Sequence, residues 1–349
     1  MNRPPAYIIS KASLSAWVEE LARAATVIAP TAAHGADVVY DVVESAQDVM
    51  WDYTSSLTPL KRFLFPQIEP LLRWRPSPGN GIEIEPTYDE TERVFLGVRS
   101  CDISAVGFLD RVFMRDREDA YYLARRRRTT LIGLACTQPG ENCFCVCADA
   151  GPFLDEGYDL QLIDLKDCML VDVGSEKGAA LVEQSASLFS PAPLSLLDVK
   201  ANLKREAEAH FGEPKAYFSA ALRKVTFDQT PDELWEQMAD RCLECGGCAF
   251  VCPTCTCFLT ADWPAEQGGE RCRLWDSCLY ENYASEASGH NPRAQRMDRL
   301  KARFFHKLSY QFAKPLEQHG CVGCGRCITA CLGSNDMPTV TARLRRGAL

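Results

Sequence analysis

No apolar run in the 349 residues approaches the roughly 18 needed to span a bilayer, so no membrane span is expected. A basic excess is also missing. Lys and Arg number 38 against 47 Asp and Glu, and the net charge of −9 argues against a nucleic-acid partner. The five histidines form no HExxH pair, which removes the ligand set of hydrolytic metal chemistry. Neither the GxGxxG dinucleotide fingerprint nor a GxxxxGKS/T loop occurs, and no nucleophile–base–orienter set is visible. Turnover of a substrate is therefore expected on another polypeptide, with no catalytic residue here. The opening stretch MNRPPAYIISKASLSAW lacks the charged-then-apolar pattern of a secretory leader, and no twin-Arg signal appears. The expected compartment is the cytoplasm, where thiols stay reduced and disulfides are not expected.

What the chain has instead is cysteine, 18 in all. CLECGGCAFVCP places Cys242, Cys245, Cys248 and Cys252 at CxxCxxCxxxC spacing, and CVGCGRCITACL repeats it with Cys321, Cys324, Cys327 and Cys331. This is the ligand run of a two-[4Fe–4S] module, in which three thiolates hold one cube and the fourth crosses to the other. Glycines between the ligands let the backbone fold tightly around an inorganic core. Structural zinc is the rival, but zinc sites take two CxxC pairs split by a loop, whereas here three cysteines step evenly with a fourth behind them, twice. Such a chain moves electrons one at a time.

The expected fold is an α/β N-terminal domain with a partly parallel sheet, followed by an α-helical dicluster ferredoxin-like domain. VFLGVRS, TLIGLACT, LQLIDL and MLVDV read as buried strands, with a helix in ISAVGFLDRVF between the first two. Residues 1–190 form the α/β domain, 191–235 a helical connector and 236–349 the cluster domain. SLSAWVEELARAATVIAP reads as one amphipathic helix opened by a serine cap. SSLTPLKRFLFPQIEPLLRW, rich in proline and apolar residues, is expected to pack onto the next domain, and the basic run Arg125–Arg128 to form a solvated face. The two phrases are separated by the 68 residues 253–320, longer than a compact ferredoxin needs. Within that insert, Met297, Leu300, Phe304, Leu308 and Phe312 recur at steps of three and four, giving a helix that ends near Lys314-Pro315. The insert points to a helical arrangement of the cluster pair. His306 on this helix reads as a partly buried histidine rather than a ligand.

Ten cysteines lie outside the two phrases. Cys101 and Cys136 each end a predicted strand, and Cys143 and Cys145 follow in a loop. Sites in open α/β sheets form beyond the carboxyl ends of strands, so these four could hold a third cluster, with Cys147 as the substitute, or be unconnected buried thiols. Asp102 is expected to cap the helix after Cys101, whose N-terminus would favour an anionic cluster. Cys255, Cys257, Cys272 and Cys278 crowd the first phrase and read as its apolar envelope in preference to a fourth metal centre. Cys168 reads as core.

GVRSCDISAVGFLDRVF, LIGLACTQPGENCFC, CLECGGCAFVCPTCTCF, RLWDSC and CVGCGRCITAC, in this order, resemble a family of dicluster iron–sulfur subunits. It includes the β-subunit of NAD(P)-linked sulfhydrogenase, a cytoplasmic [NiFe] hydrogenase, and the iron–sulfur subunit of anaerobic sulfite reductase. The resemblance runs from about Ser55 to the C-terminus. It implies a hetero-oligomer in which this chain relays electrons. On one side stands an NAD(P)H-binding flavin and [2Fe–2S] subunit. On the other stand the hydrogenase small and large subunits, or a sirohaem sulfite reductase subunit. FAD is then expected on the partner. The resemblance also favours a third [4Fe–4S] cluster on Cys101, Cys136, Cys143 and Cys145, and matches Cys257 and Cys278. Leu332 departs from the proline that follows a ferredoxin run. A free-standing flavin and iron–sulfur oxidoreductase is the alternative of a different class.

Overall fold

The computed structural model describes residues 6–79 and 81–347. The strands are β1 (Ala6–Ser10), β2 (Thr26–Ala32), β3 (Val38–Val42), β4 (Ile68–Ser77), β5 (Gly81–Pro86), β6 (Arg93–Arg99), β7 (Thr129–Leu134), β8 (Leu160–Asp164), β9 (Cys168–Val173), β10 (Phe189–Pro191), β11 (Phe258–Ala265) and β12 (Gly268–Trp275). The helices are α1 (Lys11–Ala24), α2 (Ser100–Met114), α3 (Ala120–Arg127), α4 (Glu176–Gln184), α5 (Ser195–Ala209), α6 (Phe218–Thr226), α7 (Asp232–Asp240), α8 (Gly247–Phe250), α9 (Arg296–Leu308), α10 (Tyr310–Leu316), α11 (Arg326–Ala330) and α12 (Met337–Arg346).

One eight-stranded sheet runs β10-β1-β9-β8-β7-β6-β2-β3. Its centre is parallel, β2 with β6, β6 with β7 and β7 with β8, while the flanking pairs are antiparallel. The four expected strands are β6 to β9, and the helix between the first two is α2. Nearly every residue of β6 and β7 is buried, as two-sided coverage requires of parallel strands. Beyond the carboxyl ends of these two strands lie Cys101 and Cys136.

The N-terminal helix is shorter than its sequence suggests. Ser10 is the cap, accepting from the Ser13 amide at 3.1 Å, and α1 buries Leu14, Trp17, Val18 and Leu21 at helical steps. It ends at Ala24. The following Thr26-Val27-Ile28 is β-branched throughout and pairs with β6 instead of extending the helix.

The second sheet, β11-β12-β4-β5, crosses the chain. β4 lies in the proline-rich segment and β12 in the insert between the cysteine phrases; Ile68 pairs with Leu274 and Trp74 with Gly269. The insert thus carries a β-hairpin as well as helices. Its amphipathic helix is broken in two, because Ser309 is extended, and the Tyr310 amide donates to Thr226 Oγ1 at 2.9 Å. Pro315 lies inside the second helix rather than ending it.

A buried ion cluster fastens this sheet to the larger one. Glu69 of β4 is fully buried and accepts from Arg273 Nε of β12 at 2.8 Å and from Arg125 of α3, and Arg273 also reaches Asp119. The basic run is therefore no uniform solvated face: Arg125 is buried, and Arg126 pairs with Asp110 at 3.0 Å. Glu69→Gln leaves two buried guanidiniums without their shared carboxylate. It should lower the unfolding free energy by roughly 3–5 kcal/mol, read from urea denaturation; no loss would show the cluster to be dispensable.

Candidate iron–sulfur centres

The two phrases fold alike. Gly246 (φ +71°) caps α8 and Gly325 (φ +78°) caps α11, so each loop turns through the left-handed region that glycine tolerates and then enters a short helix. α8 carries Cys248 and α11 carries Cys327, and the fourth cysteine of each phrase stands at or just past the end of its helix.

Packing of α8 against α11 exchanges those fourth cysteines. One cavity is lined by Cys242, Cys245 and Cys248 together with Cys331 of the second phrase. The other is lined by Cys321, Cys324 and Cys327 together with Cys252 of the first. Asn335 donates its amide to Cys331 Sγ at 3.2 Å, and Lys307 Nζ lies 3.4 Å from Cys252 Sγ.

The buried charges around these cavities ask for an anion. Lys61, Arg303 and Lys307 are 3–5 % exposed. Lys61 donates to the Cys255 and Ala249 carbonyls, and Lys307 to Thr254 Oγ1 and Cys252. Arg303 lines both cavities, and its Nε and Nη1 have no hydrogen-bond partner. A desolvated cation without a counter-ion costs several kcal/mol. A metal–sulfur centre held by thiolates supplies both the negative charge and the sulfur acceptors that Arg303 lacks, so the residues present fit such a group.

Burial pushes the free thiols of Cys242, Cys248, Cys321 and Cys324 up and that of Cys327 to about 12, so metal binding there must release protons. Cys252 runs the other way. The Cys255 thiol donates to it, and Lys307 and Lys61 face it, which together hold it well below the ordinary value despite burial.

The four cysteines of the α/β part are also neighbours. A Cβ on Gly151 would lie 3.3 Å from Cys145 Sγ and 3.8 Å from the Cys101 amide, and one on Gly140 would lie 3.8 Å from Cys143 Sγ. Cys143 and Cys136 both act on the Cys145 thiol, which burial foremost drives up, and Arg99 opposes the upward push of burial on Cys136. Arg99 is itself a buried cation with an unpartnered Nε, stacked 4.1 Å from the Tyr53 ring. Cys147 faces a separate cavity with Phe211 and Tyr217.

This group lies against the second phrase. The Phe144 amide donates to the Gly323 carbonyl at 2.9 Å, and Arg326 clasps Asp102 with two hydrogen bonds of 2.9 and 2.8 Å. Asp102 is therefore not the cap of α2 that its position suggests. It sits in the first turn, where it also accepts from Tyr40 at 2.8 Å. A Cβ on Gly323 (φ +64°) would lie 2.6 Å from the Cys145 amide nitrogen. Gly323→Ala combines that clash with roughly 1–2 kcal/mol of left-handed strain. It should lower iron per chain and the melting temperature together, whereas Gly107→Ala, which meets nothing within 4 Å, should change neither.

Of the remaining cysteines, Cys272 is buried on β12 beside Glu270, apart from the others, and Cys168 begins β9 opposite Ser10. Cys255 packs on Cys252, while Cys257 and Cys278 face a further cavity. His306 is half-buried, 4.6 Å from the Phe312 ring, and burial lowers its pKa to about 4, so it is neutral at pH 7. The cations Arg99, Lys61, Arg303 and Lys307 are the functional residues that the motifs did not disclose. Arg299, Arg303 and Lys307 recur every fourth residue beside the buried Leu300, Phe304 and Leu308, a pattern that marks cations on the inner edge of an amphipathic helix.

Residues 241–334 match a family described as a 4Fe–4S dicluster domain, and residues 205–255 match a second family of the same description. The chain is 30 % identical over 322 residues to sulfhydrogenase 2 subunit beta of Pyrococcus furiosus, covering 90 % of this chain and 91 % of that protein. No helix among the described residues is long and apolar enough to cross a membrane.

Proposed function

The chain belongs to the dicluster [4Fe–4S] subunit family that contains the sulfhydrogenase β-subunit, and from that premise we propose a specific place for it in an electron path. It is an iron–sulfur electron-transfer subunit of a multi-subunit complex. In the proposed assembly it relays electrons between an NAD(P)H-binding flavin and [2Fe–2S] subunit, which carries the FAD, and the small and large subunits of a cytoplasmic [NiFe] hydrogenase. The exchange of Cys252 and Cys331 between the two cavities carries this reading, because it brings both ligand sets together at one helix pair.

When bound, the [4Fe–4S] clusters supply one-electron transfer. The chain's own residues hold and insulate them. Cys242, Cys245, Cys248 and Cys331 form one ligand set, and Cys321, Cys324, Cys327 and Cys252 the other. Cys101, Cys136, Cys143 and Cys145 form a third, with Arg99 as its buried counter-charge. Residues 1–190 carry this third set, 191–235 connect, and 236–349 form the helical dicluster unit.

The first cavity opens at the surface. Cys245 is exposed, and Leu243 and Leu332, both on the cavity wall, are 64 % and 84 % exposed. This apolar rim is where a partner centre approaches. Leu332→Glu should therefore reduce recovery of partner subunits at least about tenfold while leaving iron per chain unchanged; undiminished recovery would move the contact elsewhere. Affinity purification from the native host tests the reading as a whole. Flavin and [NiFe] subunits are expected to co-purify. A sirohaem protein instead, or flavin absorbance in the isolated chain, would replace it.

A further inference from the structure

A cavity of about 270 Å³ lies beside the cluster ligands without being part of either ligand cavity. α2 contributes Phe108 and Val112, Arg115 follows it, and α9 contributes Arg303, His306 and Lys307. Cys255, Cys257, Cys278 and Tyr283 complete its reactive wall, and no carboxylate is among the lining residues.

Hairpin geometry pairs two of these thiols. The β11–β12 ladder closes at Phe258 and Trp275, and one step beyond it the Asp276 amide donates to the Cys257 carbonyl at 3.0 Å. Cys278 follows two residues later and comes to rest on Cys257. The Cys278 thiol and amide both donate to Cys257 Sγ, as does the Tyr283 hydroxyl. These bonds, that from the Cys278 thiol foremost, lower the Cys257 pKa to about 6 against the opposing effect of burial, while the Cys278 thiol is pushed up by the same bond. The cations facing the pair are Arg115, Arg303 and Lys307; His306 is neutral at pH 7.

We propose that Cys257 and Cys278 form a redox-active dithiol that exchanges with small anionic disulfides entering this cavity. A nucleophilic thiolate beside a second thiol is the arrangement that thiol–disulfide exchange requires. The Cys257 thiolate attacks one sulfur of R–S–S–R, forming a mixed disulfide and releasing RS⁻. Cys278 then gives up its proton and attacks Cys257 Sγ, closing the Cys257–Cys278 bond and releasing the second RS⁻. The dithiol loses two electrons and two protons, and the substrate leaves as two thiols. Arg115 and Lys307 supply the attraction for a negatively charged R group.

The test uses the full, cluster-loaded chain under anaerobic conditions. It is exposed to dithiodiglycolate, a dianion, or to cystamine, a dication, then alkylated with iodoacetamide and mapped by mass spectrometry. The Cys257–Cys278 bond is expected to form at least about tenfold faster with the dianion, with iron content unchanged. Cys278→Ser should accumulate the mixed disulfide on Cys257. The proposal is overturned if both cysteines remain fully alkylatable, or if the two reagents react at equal rates. It is equally overturned if Cys257→Ser removes about four irons per chain, which would make the pair cluster ligands.

Discussion

Cys331→Ala is expected to abolish the cluster of the first phrase and to spare that of its own. Cys331 completes the cavity of Cys242, Cys245 and Cys248, with its sulfur fixed by the Asn335 amide at 3.2 Å. The electron paramagnetic resonance spectrum of reduced Cys331→Ala should therefore coincide with that of Cys242→Ala. Cys252→Ala should pair with Cys321→Ala in the same way, since Cys252 lines the second cavity. Each variant should lose about four irons. A Cys331→Ala spectrum that matches Cys321→Ala would mean that each phrase holds its own cube.

Arg303→Met should lower the reduction potentials of both clusters. A cation beside a cluster stabilises its reduced, more negative state, so removing the charge makes reduction harder. Arg303 lines both cavities with two unpartnered donors and is 3 % exposed. At an effective dielectric near 20, a unit charge about 4–6 Å away is worth about 3–4 kcal/mol, which is on the order of 100 mV for one electron. Arg303→Lys keeps the charge and should recover most of the potential. A purely structural arginine would instead change iron content or stability and leave the potentials of the loaded protein in place. Redox titration followed by electron paramagnetic resonance separates the two.

The ligand runs were legible because all four cysteines of each lie within a dozen residues, where covalent spacing alone dictates what they can hold. β6 to β9 were legible because buried parallel strands read as unbroken apolar runs. The β11–β12 hairpin was not. Its strands are largely exposed, contain Pro264, and owe their pairing to β4, some 200 residues earlier, as in Cys272 opposite Pro70. No local periodicity encodes such a partner. The end of α1 failed for a smaller reason: an apolar run continues through Thr26-Val27-Ile28, and only β-branching marks the change to strand. Asp102 was misread because a carboxylate in a first helical turn is ordinarily a cap, and Arg326, its partner here, lies 224 residues away. Arg99, Lys61, Arg303 and Lys307 were hidden for the same physical reason. A cation is recognisable as part of a metal centre only once its side chain is known to be buried without a carboxylate.

The proposed electron path has three cluster stations, two held by the exchanged phrases and one by the cysteines beyond β6 and β7. Iron and acid-labile sulfide per chain, measured with electron paramagnetic resonance on the reduced isolated chain, test it most directly. About twelve irons are predicted, with Cys136→Ala removing about four and leaving the signals of the paired phrases intact. About eight irons in the unaltered chain, with no change in Cys136→Ala, would contradict it.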